Sequence, residues 1–104
     1  MKRFEVWLVS LDPAVGSEIR KTRPAVIVSP DELNDHLNTV IVVPLTGGRA
    51  YAFRVPTRVR GRAGVAAVDQ IRTVDKRRLA RRVAVLDRET GAKLMDRLAE
   101  LFRP

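Results

Sequence analysis

Apolar side chains along this chain fall into short runs rich in valine and isoleucine, separated by turn material. Residues 4–9 carry apolar groups on both faces of an extended segment, and residues 25–29 and 40–43 are compact β-branched runs suited to buried strands. Residues 52–56, 64–68 and 83–86 add three more short extended candidates, with turn signals at Gly47-Gly48 and at residues 61–64. Many short strands with few helices between them predict a small antiparallel barrel. Strict alternation is weak in these runs, so periodicity alone leaves barrel and sandwich both open.

Two helices interrupt the strands. Ser29-Pro30-Asp31-Glu32 reads as a helix start, with Ser29 as N-cap, Pro30 at the first helical position and Glu32 at the capping-box position. This helix is expected to end near His36. At the C-terminus Leu94, Leu98, Leu101 and Phe102, with Met95 beside them, form an apolar stripe at helical spacing behind Asp87 as N-cap, and the stripe predicts core packing. No linker, repeat or low-complexity segment divides the chain; the Arg-Gly stretch 58–64 reads as a loop, and residues 1–104 as one domain.

Composition narrows the chemistry. Cysteine is absent and His36 stands alone, which excludes disulfides and a structural zinc site and fits a reducing cytoplasm. No apolar segment approaches the roughly 18 residues needed to span a bilayer. The start Met-Lys-Arg-Phe-Glu-Val-Trp places an acid where a signal peptide continues apolar, so a soluble cytoplasmic protein without membrane contact is expected. The net charge of +8 is concentrated: residues 49–82 carry 11 basic and 2 acidic side chains, whereas residues 1–48 net −1 and residues 83–104 net zero. Of the 20 basic residues 16 are arginine, whose planar guanidinium grips phosphate bidentately and stacks on bases, and this weights the reading toward a nucleic-acid partner.

Three separated stretches sharpen that reading. They are Gly16-Ser17-Glu18 leading to Arg23-Pro24, then Pro44-Leu45-Thr46, then Asp69-Gln70-Ile71-Arg72-Thr73-Val74, each at the end of an apolar run. With the opening Glu5-Val6-Trp7, Leu11-Asp12-Pro13 and the run from Arg23 through Ser29, they resemble the MazF/PemK family of toxin endoribonucleases over nearly the whole chain. One departure is Phe4, where relatives commonly carry glycine before the acid of the first strand. The resemblance implies an SH3-like barrel with a C-terminal α-helix. It also implies metal-independent, sequence-selective cleavage of single-stranded RNA, leaving 2′,3′-cyclic phosphate and 5′-hydroxyl ends, with mRNA the expected target. No cofactor is implied. A homodimer and a cognate antitoxin, acidic and partly disordered, are the expected partners, and the basic segment offers the antitoxin a docking face overlapping the RNA path.

Such cleavage uses the RNA's own 2′-hydroxyl as nucleophile, so the protein supplies charge stabilisation and proton transfer. Carried over by motif, Arg23 stabilises the phosphorane, with proton donation a further possibility, and Thr46 donates to a non-bridging oxygen. Glu18 is the candidate carboxylate, as base or as orienter of Arg23; a surface ion pair with Arg20 or Lys21 is its plain alternative. Gln70 and Asp69 read as pocket residues for RNA or as a structural network, with Asp69 able to order Arg72. Arg49, Arg58, Arg60 and Arg62 sit on basic loops suited to a single strand, where Tyr51 or Phe53 can stack on bases; Trp7 reads as core. The competing readings are a non-catalytic gyrase poison similar to CcdB, which would act through the C-terminal helix, and a plain nucleic-acid-binding barrel.

Overall fold

The β-branched runs build a curled antiparallel sheet in the computed structural model, which describes residues 1–48 and 50–104. In chain order the elements are β1 (Glu5–Ser10), β2 (Thr22–Ile27), α1 (Asp31–His36), β3 (Thr39–Thr46), β4 (Val55–Val59), β5 (Arg62–Ala66), β6 (Arg72–Asp75), β7 (Leu79–Val85) and α2 (Arg88–Phe102). The spatial order is β4-β5-β3-β2-β1-β7, with β6 also on β3. This agrees with the small antiparallel barrel that the strand count predicts and with the SH3-like barrel and terminal helix that the resemblance implies.

β3 organises the sheet because it pairs along both edges. Its middle, Val42 to Pro44, pairs with β2; its first half pairs with β6 and its last two residues with β5. Both faces of the central strands are buried, which explains the weak alternation in the sequence. Val6, Val26, Val43 and Leu45 join Leu94 and Leu98 of α2 in one cluster. Val9, Ala25, Ile27, Val40 and Val42 join Leu11, Val74 and Leu79 in another.

Several expectations shift. β2 begins at Thr22, so Arg23 and Pro24 lie inside the strand and not in the loop before it, because pairing with β1 extends past the apolar run. Arg58 is likewise a strand residue, within a β4–β5 hairpin that turns at Arg60 and Gly61, both at positive φ. Ser29 does not cap α1: Pro30 holds that position, and the Ser29 hydroxyl instead bonds Asn34 Oδ1 and accepts from the Ile41 amide at 3.0 Å. Asp87 does cap α2, accepting from the Thr90 amide at 3.0 Å. Leu94 and Leu98 are buried as expected, but Leu101 and Phe102 are exposed.

The departure at Phe4 has a definite geometry. Its backbone sits at φ 75°, a left-handed conformation that costs a bulky side chain but suits glycine. The strain is held by packing: Phe4 joins the α2-side cluster, and its ring fills the space where Gly91 lacks a side chain. A Cβ at Gly91 would come within 3.1 Å of that ring. Next to it, the nearly buried Glu5 accepts from the Trp7 indole at 2.9 Å and lies 3.4 Å from Arg82. Burial pushes the Glu5 carboxyl up, but the Trp7 and Lys2 hydrogen bonds with the nearby positive charges outweigh it and leave the pKa lowered.

Candidate active site

Antiparallel pairing brings the first two candidates together. β2 and β3 pair Ala25 with Pro44, and continuing that register toward the strand ends sets Arg23 level with Thr46. Both line a cleft of about 590 Å³ with Arg60, Arg62 and Arg81. Arg60 and Arg62 arrive on the β4–β5 hairpin and Arg81 on β7, opposite Leu8. Among the described residues lining the cleft there is no carboxylate and no histidine. Four guanidiniums facing one cavity without a counter-charge make an anion site.

Each candidate is partly pre-set. Arg23 is half-buried and donates through Nε to the Arg20 carbonyl at 3.3 Å, which fixes the guanidinium plane. The Thr46 hydroxyl accepts from the Gly48 amide at 3.1 Å, a contact that directs its lone pair inward and leaves its proton to be donated. Behind Thr46, Gly64 lets β5 approach closely, since a Cβ there would fall 3.0 Å from the Thr46 carbonyl oxygen. Thr57 completes the wall. Arg60 and Arg62, expected on a basic loop beside the site, do line it, whereas the sequence reading missed Thr57 and Arg81 because only strand pairing, and no local motif, brings them to one place.

Glu18 is elsewhere. It lines a second cavity of about 520 Å³ with Ser17, Pro44, Asp69, Gln70 and Arg72, among others. One of its oxygens accepts from the Val15 amide at 2.6 Å, so in place of the anticipated ion pair with Arg20 or Lys21 it closes a turn within its own loop. Gln70 ends a short 3₁₀ turn and clamps that loop: its Oε1 accepts from the Ile19 amide at 2.9 Å and its Nε2 donates to the Ser17 carbonyl at 3.2 Å. The next residue in the loop is Arg20, the carbonyl partner of Arg23. Gln70 therefore links the second cavity to the first through the backbone.

Asp69 does not order Arg72. It takes a bidentate pair from Arg54, both bonds 3.0 Å, and the guanidinium holds its carboxyl below the usual range despite partial burial. Arg72 instead donates to the Leu11 carbonyl at 3.2 Å, and Arg78 donates to the carbonyls of Ser10 and Asp12, so two arginines brace the base of the Glu18 loop. Arg58 is exposed, bonds the Gly61 carbonyl at 2.9 Å and lines neither cavity. Arg49 lies outside the described residues.

Comparison with known proteins places the fold and the family. Residues 2–102 match the family of PemK-like, MazF-like toxins of type II toxin-antitoxin systems. The chain is 43% identical over 81 residues to the endoribonuclease PemK of Escherichia coli; the match takes in 72% of this chain but 61% of that protein, less than two thirds of the relative's length. Among solved structures, MazF from Deinococcus radiodurans superposes with a TM-score of 0.87 at 26% identity, covering 97% of this chain and 94% of that one. A mycobacterial endoribonuclease solved with its cognate antitoxin gives 0.82 at 25% identity, covering 100% and 97%. With residues 2–102 matched by the family, the chain belongs to the PemK-like, MazF-like toxin family of type II toxin-antitoxin systems.

Proposed function

We propose that this protein is the toxin of a toxin-antitoxin pair and acts as a metal-independent endoribonuclease on single-stranded RNA, mRNA being the expected target. The observation that carries the reading is the convergence of Arg23 and Thr46, from adjacent strands, in a cleft with three further arginines and no acidic residue among those described. The family assignment and the two similar proteins named as endoribonucleases support it over gyrase poisoning.

In the proposed reaction the 2′-oxygen attacks the adjacent phosphorus and gives up its proton, the bond to the 5′-oxygen breaks, and the leaving oxygen takes a proton. The products are a 2′,3′-cyclic phosphate and a 5′-hydroxyl end. Charge grows on the non-bridging oxygens, where Arg23 and the Thr46 hydroxyl are aimed, so fixed donors act most strongly on the transition state. Arg60, Arg62 and Arg81 hold the flanking phosphates. Glu18, in the neighbouring cavity, presents acceptors to base edges in this arrangement, and Gln70 sets the loop that carries it.

The partners follow the same surfaces. The cognate antitoxin is acidic and covers the arginine cleft, inhibiting by competition with RNA. A second copy of the chain meets the exposed apolar groups Val85, Leu101 and Phe102, which the fold leaves uncovered. Among the described residues no helix is long and apolar enough to cross a membrane.

The test is incubation with a long single-stranded RNA in excess EDTA, mapping cut positions and end groups for the wild type, Arg23→Ala and Thr46→Ala. Recurrent cuts with cyclic-phosphate ends, lost in both variants, are expected. Intact RNA with wild-type protein overturns the reading.

A further inference from the structure

The loop from β3 to β4 carries a feature that neither cavity uses. Tyr51 and Phe53 stack with ring centroids 5.1 Å apart and planes within 7°, although both are exposed, at 40% and 44%. Two aromatic rings left in water on a loop are costly unless something covers them. They are also held in place. The Arg54 amide donates to the Tyr51 carbonyl at 3.0 Å, closing a turn, and the Arg54 guanidinium lies 5.0 Å from the Tyr51 ring centroid. The same guanidinium is anchored by its bidentate pair with Asp69, its side chain only 11% exposed. Arg54 thus fastens the aromatic turn to the rim of the second cavity, while the other end of the loop leaves the reaction cleft at Thr46 and Gly47.

We propose that Phe53, presented by this turn, is the stacking platform for one base flanking the cleaved phosphate, and so a substrate-positioning residue of the RNA site. Tyr51 is engaged by Phe53 and Arg54, so the receiving ring is Phe53. A planar base extends the existing stack by one layer, and every base has a face to offer. Single-stranded RNA is favoured over a protein segment by the setting: the loop joins the four-arginine cleft to the cavity of Glu18, Asp69 and Gln70. The segment bearing Phe53 starts from the cleft residues Thr46 and Gly47 and is tied through Arg54 to Asp69 of the second cavity. Because the ion pair and the turn fix the ring beforehand, little ordering entropy opposes stacking. The proposal rests on the endoribonuclease reading and adds to it a subsite.

The experiment uses a short single-stranded RNA containing one mapped cut site, with the scissile nucleotide 2′-deoxy to prevent cleavage, and abasic replacements placed singly at each flanking position. Phe53→Ala is expected to weaken binding about 5- to 100-fold, with Phe53→Trp close to wild type and thermal stability unchanged. One abasic position should weaken wild-type binding by a similar factor yet leave Phe53→Ala unaffected. Equal affinity of wild type and Phe53→Ala, or additivity at every abasic position, overturns the platform. So does a result in which Phe53→Ala loses affinity only for an acidic antitoxin peptide. The all-ribonucleotide RNA separates the two readings: if wild type cleaves it while Phe53→Ala binds normally, the platform fails and the nuclease stands.

Discussion

The two cavities flank the same end of β3 and differ in almost everything else. Leu45 and Thr46 face the first, walled by four arginines and threonine hydroxyls; Pro44 faces the second, walled by Glu18, Asp69, Gln70 and Arg72. The boundary falls between Pro44 and Leu45, and the electrostatic character changes across it. Among the described residues the first has donors and no acceptor carboxylate, the chemistry of phosphate; the second mixes carboxylates with amides, the chemistry of base edges. Under the proposed function, catalysis and recognition fall to different cavities, and a substitution is expected to disturb one with limited damage to the other.

The sharpest test of that division is Arg23→Ala against Glu18→Gln. Loss of the guanidinium should lower single-turnover cleavage by roughly 100- to 1000-fold. Glu18→Gln should cost about 10-fold or less and redistribute the preferred cut sites, because one mispaired base contact is worth on the order of 1–3 kcal/mol. If Glu18→Gln abolishes cleavage at all sites, the carboxylate serves the chemistry and the division fails.

Gln70 bridges the two regions, so Gln70→Ala should act at a distance. It strands the Ile19 amide and frees the Ser17 carbonyl, loosening the segment that fixes Arg23. A fall in kcat of about 10-fold with little change in KM is expected, since orientation at the reacting centre is what is lost. Gln70→Glu keeps the acceptor for Ile19 but not the donor and should recover part of the rate. A change confined to KM would place Gln70 on the RNA instead.

Gly64→Ala should disturb the first cavity alone. Its Cβ would press on the Thr46 carbonyl, shifting the hydroxyl and slowing cleavage several-fold, about 1 kcal/mol of barrier, while cut-site preference is kept. The smallest effect concerns pH. The Asp69 pKa lies below its ordinary 3.8 in the fold, so its pairing stabilises the protein fully above the unfolded value and is lost as pH falls through the folded one. On acidification through that window the wild type should lose more thermal stability than Asp69→Asn, with the first cavity's phosphate affinity unchanged. Equal losses would mean that the Arg54 pair contributes nothing.

Sequence legibility followed the same division. β-branched runs revealed the strands because buried strands need them, and Asp87 revealed α2 because a cap is local. Arg23 and Thr46 were readable through motif. Arg81 and Thr57 were not, since their place in the cleft depends on which strands pair, a long-range property with no local signature. β6 was missed because only Val74 of its four residues, Arg72 to Asp75, is apolar, too little to stand out as a strand. The exposure of Leu101 and Phe102 likewise escaped the helical stripe, which continues past the edge of the sheet it packs on.

Phe4 and Gly91 form a matched pair, and this bears on how the scaffold can be re-engineered. The aromatic ring occupies a left-handed position only because the helix opposite lacks a side chain. Grafting a relative's first strand, with glycine in place of Phe4, would relieve the backbone but open a void against α2. Grafting a relative's helix with any larger residue at position 91 would evict the ring. Chimeras between this toxin and its kin should therefore be cut so that the N-terminus and the last helix travel together, although the two lie at opposite ends of the chain.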